Sequence, residues 1–121
     1  IVYGFLMANS YKILGQIAPS SNTLTNVYVT GASASSVVNT IYLCNQDSAN
    51  ANVSVIVRPI NEALANKHFI LQDQRLDAAD TIILNLNITM NSDVILAANI
   101  STRTGEATAN CSVNAYGVEI S

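Results

Sequence analysis

The feature that most limits what this chain can become is the near-strict alternation of apolar and polar residues through its C-terminal third. In Thr81-Ile-Ile-Leu-Asn-Leu-Asn-Ile-Thr89, one face reads Ile82, Leu84, Leu86 and Ile88, and the other Thr81, Ile83, Asn85, Asn87 and Thr89. In residues 107–116, Ala107, Ala109, Cys111, Val113 and Ala115 alternate with Thr108, Asn110, Ser112, Asn114 and Tyr116. Successive side chains of a strand point to opposite faces, so this pattern assigns one row to a core and the other to water or a partner.

The rest of the chain repeats the pattern. Strands are expected over residues 11–17, 24–30, 36–45, 52–58, 67–72, 81–88, 94–100 and 107–120. Turn-forming clusters separate them, among them Pro19-Ser-Ser-Asn22, Gly31-Ala-Ser-Ala-Ser35 and Asn91-Ser-Asp93. The β-branched and aromatic run 36–45 suits a central strand. Pro59 ends the strand before it, because proline cannot donate to a ladder. Residues 60–66 are the one helix-like stretch, a short turn or 3-10 segment. Strands 94–100 and 107–120 read as a hairpin, with Gly105 supplying a positive φ.

A chain of 121 residues builds one two-layer core. The expected fold is all-β: a single antiparallel β-sandwich of about eight strands, jelly-roll or immunoglobulin-like, over residues 11–121. Residues 1–10 precede it as an extended N-terminal arm. Ile1, Val2, Tyr3, Phe5 and Leu6 make the arm apolar. Such a segment is not stable alone in water, so these five are candidate interface residues that lie on the domain or on a neighbour. Met7-Ala-Asn-Ser opens like a natural N-terminus, so translation is expected to start there or further upstream.

Charge is scarce. Five Lys/Arg and eight Asp/Glu are scattered through the chain, and their net charge is −3. Without a Lys/Arg cluster to neutralise phosphates, nucleic acid is not an expected partner. No apolar run approaches the roughly 18 residues that span a bilayer, so a membrane is not expected either. The polar positions are filled by 15 Asn, 12 Ser and 9 Thr. Uncharged polar surface costs less to desolvate than charged surface, and interface cores are depleted in charge. The composition fits a chain packed against other subunits; the bland alternative is a soluble sandwich with an Asn/Thr-rich surface.

Chemistry has few footholds. His68 is the one histidine and has no partner at catalytic or metal-ligand spacing, so it reads as a surface or edge residue. Asp73, Asp77, Asp80 and Asp93 do not match a calcium loop and read as turn residues. Cys44 and Cys111 match no metal or CxxC spacing. They read as two buried thiols, with a disulfide between sheets left open. Tyr3, Tyr11, Tyr28, Tyr42 and Tyr116 are too dispersed for a sugar platform and read as sheet and interface residues. The chain is therefore expected not to be an enzyme, and no catalytic, cofactor or metal residue is assigned.

Several segments together carry a likeness. Met7-Ala-Asn-Ser-Tyr-Lys-Ile-Leu-Gly-Gln16, Thr40-Ile-Tyr-Leu-Cys-Asn45, Val57-Arg-Pro59, Leu64-Ala-Asn-Lys-His68, Asp80-Thr-Ile and Asn114-Ala-Tyr-Gly-Val-Glu-Ile120 resemble a family of small virion structural proteins. That family occurs in tailed bacteriophages, notably those of cyanobacteria and other marine bacteria. The resemblance spans residues 7–121 and implies a homo-oligomeric virion protein that assembles with the major capsid protein or other virion subunits. Within the virion, the first expectation is a capsid decoration or cement protein on the head exterior. A tail, baseplate or fibre-attachment component and a host-glycan-binding β-sandwich module are the alternatives.

The face assignment makes a local prediction. Burying a Leu or Ile side chain is worth about 1.5–3 kcal/mol. Leu84→Ala and Leu86→Asn should therefore both lower the thermal melting temperature; unchanged melting in both would refute the assigned face.

Overall fold

The computed structural model describes residues 9–101 and 110–120. Eight strands run in chain order: β1 (Asn9–Ile17), β2 (Thr25–Val29), β3 (Ser35–Asn45), β4 (Ala51–Pro59), β5 (Phe69–Leu76), β6 (Thr81–Met90), β7 (Val94–Ser101) and β8 (Cys111–Ile120). They form two four-stranded sheets, ordered β1-β8-β3-β6 and β2-β7-β4-β5, with every pairing antiparallel. This order traces two Greek keys wound into a jelly roll. The expectation of an all-β antiparallel sandwich of eight strands is met.

The alternating rows meet between the sheets. Val38, Ile41, Leu43, Val113 and Ala115 from the first sheet pack on Val53, Val55, Leu96, Ala98 and Ile100 from the second. The row Ile82, Leu84, Leu86 and Ile88 does turn inward, but it stays half-buried because β6 lies at a sheet edge. The run 36–45 is an interior strand, flanked by β8 and β6. Asn45 is 1% exposed and acts as a hub. Its Nδ2 donates to the carbonyls of Ala49 (2.8 Å), Leu76 (3.2 Å) and Asp77 (3.2 Å), and its Oδ1 accepts from the Asp47 N–H (3.0 Å). One buried amide thus fixes both loops at that end of the sandwich.

Several expectations need correction. Strands 94–100 and 107–120 do not form a hairpin: β7 lies between β2 and β4, and β8 between β1 and β3. A short connection can hop between sheets as readily as turn back within one, and the alternation reports faces rather than partners. Gly105 and the rest of residues 102–109 lie outside the described residues. Among the described residues with a side chain, positive φ falls on Asn22, Asp73, Ala79, Asp93 and Asn110; Asn and Asp tolerate it best. β1 begins at Asn9, inside the residues assigned to the arm. His68 is 5% exposed and sits in a 3-10 turn, Asn66–His68, rather than in a strand. Its Nδ1 accepts the Ala65 N–H (2.9 Å) and its Nε2 faces Glu62 Oε1 (3.3 Å), so it pins the β4–β5 connection. No disulfide joins Cys44, which is half-buried, and Cys111, which is buried. They occupy adjacent strands of one sheet, Cys44 opposite Ser112 and Asn45 opposite Cys111, and therefore face opposite ways.

The two long margins of the sandwich differ. At one, β1 packs against β2, and a Cβ added to Gly15 would strike the backbone carbonyl of Val27. A polar latch joins the sheets there. Tyr28 donates to Glu119 Oε2 (3.0 Å) and shares a 2.6 Å hydrogen bond with Ser36, while Lys12 Nζ pairs with Glu119 Oε1 at 2.6 Å. At the other margin β5 and β6 stand further apart.

Two predictions concern the closed margin. Gly15→Ala should pry β1 from β2 and cost about 1–3 kcal/mol, the usual range for overpacking; a denaturant midpoint equal to wild type would contradict the close approach. The second concerns pH. The Lys12 ammonium, then the Tyr28 hydroxyl, hold Glu119 below the ordinary carboxylate value. A carboxylate with a depressed folded pKa stabilises above its unfolded pKa and loses that effect as pH falls through the folded one. The melting temperature of Glu119→Gln should thus lie below wild type at neutral pH, and the gap should close in acid below the usual carboxylate range. A gap independent of pH would show that the latch carries no ionic stabilisation.

Candidate assembly interface

The five candidate arm residues, Ile1, Val2, Tyr3, Phe5 and Leu6, lie outside the described residues. Among the described residues no three His, Cys, Asp or Glu side chains gather as a metal-binding group. No helix among them is long and apolar enough to cross a membrane. The feature that stands out is instead a sheet face.

The four strands of the first sheet hold two charged residues. β3 and β6 have none, β1 has Lys12 and β8 has Glu119. Those two pair with each other at the latch. Register gives the rows of the outer face. Tyr11 and Val37 flank Val118, Ile13 and Thr40 flank Tyr116, and Tyr42 lies between Asn114 and Ile83. Residues directly opposite each other in an antiparallel pair share a face. The outer face is therefore a charge-free field of Tyr, Ile, Val, Asn and Thr. Tyr11 is 85% exposed, Ile13 54% and Ile83 53%. Tyr42 and Tyr116 meet edge to face with ring centroids 5.5 Å apart. Three tyrosines dispersed in sequence thus converge on one surface; only the strand order β1-β8-β3 brings them together.

A groove of about 490 Å³ crosses this face, lined by Tyr11, Lys12, Ile13, Asn39, Tyr116 and Gly117. Asn39 lies where the register of β3 slips against both neighbours. Its Nδ2 donates to Asn87 Oδ1 at 2.9 Å. Its Oδ1 is shielded from solvent and has no hydrogen-bond partner among the described residues. A buried acceptor without a donor costs free energy. No sequence signal marked Asn39, because the register slip that places it is a tertiary feature.

The outer face of the second sheet is different. Ile56, Ile95 and Ala97 form a small buried cluster there with Phe69 against it. The connection 60–68 contributes to this face, with Leu64 and Phe69 lining one hollow. Charge also concentrates on this side and in the turns: Arg58 on β4, Asp73 and Arg75 on β5, and Glu62 paired with Lys67 at 2.9 Å. Lys67, then His68, hold Glu62 below the ordinary carboxylate value. One sheet is thus dressed for water and the other is bare.

No family model matches the chain, and no curated protein matches its sequence. Among solved structures, its fold is similar to a chain in the structure of infectious bursal disease virus, Gx strain, with a TM-score of 0.51 at 11% identity. That match covers 94% of this chain and 31% of the viral one, so this chain spans about a third of its length. A chain in the structure of the Gt strain aligns at TM-score 0.49 and 9% identity, over 93% of this chain and 32% of that one. The likeness is one of fold: a similar fold occurs as part of a larger chain from a virus.

Proposed function

We propose that this chain is a structural subunit of a virus particle and not an enzyme, and that the outer face of the β1-β8-β3-β6 sheet is the surface by which it docks on the shell. The observation that carries the reading is the charge-free outer face with its exposed Tyr11, Ile13, Tyr42 and Ile83. Burying such a face desolvates no ion beyond the Lys12–Glu119 pair at its margin, and tyrosine is enriched among the residues that carry most of the energy in protein interfaces. The fold likeness to a viral chain and the sequence resemblance to phage virion proteins point the same way.

Within the particle, the reading is a decoration or cement protein on the capsid exterior, bound to the major capsid protein or other virion subunits. One bare face and one charged, covered face suit a subunit that grips with one side and meets solvent with the other. A tail location uses the same face and differs in the partner. The glycan-binding alternative draws on the groove, where Tyr11 and Tyr116 flank the unsatisfied Asn39 acceptor.

The test is binding of the purified full chain to empty, expanded heads of the virus that encodes it. Wild type should bind to saturation and raise the temperature at which the heads break. Tyr116→Glu together with Ile13→Lys should fold normally and lose at least tenfold in affinity. Wild-type occupancy by that variant would remove the face from the interface. Retention of the isolated chain on host surface sugars, with no binding to heads, would favour the glycan reading instead.

A further inference from the structure

We infer that two copies of this chain pair through the free edges of their β6 strands, antiparallel about a twofold axis, so that two four-stranded sheets join into one of eight. This rests on the assembly reading above and deepens it by naming the first partner as a second copy.

The sandwich has four free sheet edges, and three of them carry features that discourage pairing. β2 is five residues long and its register slips between Asn26 and Tyr28. β1 carries Lys12 and slips between Ile13 and Gly15. β5 carries Asp73, in the left-handed region at φ 48, and Arg75, and it slips twice against β4. Short edges, charges and irregularities are the usual guards against a second strand. β6 is ten residues long and has neither charge nor proline. Its one slip lies beyond Asn85, so Thr81 to Asn85 run in unbroken register with Thr40 to Cys44. Among the described residues, no strand pairs with its other edge.

A second observation bears on the occupant. Ile82, Leu84, Leu86 and Ile88 turn toward the core and yet stay half-buried, because the β5/β6 margin is open while the β1/β2 margin is closed. A second copy brings the same aliphatic row to that opening. Antiparallel pairing about a twofold axis is self-complementary, and β6 has no charge to repel its twin. Four strands spaced about 4.8 Å apart, with about eight residues rising roughly 3.3 Å each, give an outer face of about 500 Å². The joined sheet offers about 1,000 Å² of continuous charge-free face. Pairing therefore doubles the continuous docking face.

Sedimentation velocity of the full chain over a concentration series tests the inference. Wild type should reach a dimer. Thr81→Lys with Asn85→Lys sets ammonium groups on the free edge at two exposed positions, and it should raise the dimer dissociation constant at least tenfold while melting as wild type does at concentrations where both are monomeric. Tyr116→Glu, on the same face but away from β6, should dimerise as wild type does. Hydrogen exchange on wild type needs no substitution: amides of residues 81–85 should gain protection with concentration, and those of β1 and β5 should not. A wild type that stays monomeric throughout, a lysine variant that dimerises like wild type, or protection on β1 in place of β6 would each overturn the inference. The head-binding result for Tyr116→Glu with Ile13→Lys is read separately, so either idea can fail while the other stands.

Discussion

Each strand of this molecule has two rows of side chains, and a sandwich covers one row of each. The inner rows settle their account together, with Val38, Ile41 and Leu43 against Val53, Val55, Leu96 and Ile100. The outer rows must find a separate solution. On the second sheet that solution is local: the connection 60–68, pinned by His68, adds to the surface around Ile56 and Phe69, and charged side chains meet the water. On the first sheet there is no local solution among the described residues. Tyr11, Ile13, Tyr42 and Ile83 stand exposed on strands with almost no charge. The functional reading grows from that asymmetry.

Much of the fold was legible in the sequence because period-two alternation reports which way a side chain faces. The inward row of β6 and the inward Cys111, Val113 and Ala115 of β8 lie where the pattern places them. What alternation does not report is the neighbour. β7 and β8 follow each other in the chain and enter different sheets, because the chain crosses the core at every connection except β4–β5. The depth of burial was also out of reach. The β6 row is half-buried because its strand is an edge, and edge position depends on the whole topology.

The interface was legible only as composition. A low charge count shows that some surface lacks ions, without saying which. The strand order turns that count into geometry: Lys12 and Glu119 neutralise each other at the latch, and the remaining charges among the described residues fall on the second sheet and the turns. The same order gathers Tyr11, Tyr42 and Tyr116, and it places Asn39 at a register slip with an acceptor unsatisfied. His68 illustrates the opposite case. It drew notice as the one histidine, and its role is to hold a turn by accepting a backbone N–H.

The most direct measurement is hydroxyl-radical footprinting of the chain, free and in intact particles. Tyr11, Tyr42 and Tyr116 should lose reactivity in the particle, while Leu64 and Phe69 on the other sheet keep theirs. Equal reactivity of the three tyrosines in both states, or shielding of Leu64 and Phe69 in their place, would contradict the bare sheet face as the surface of assembly.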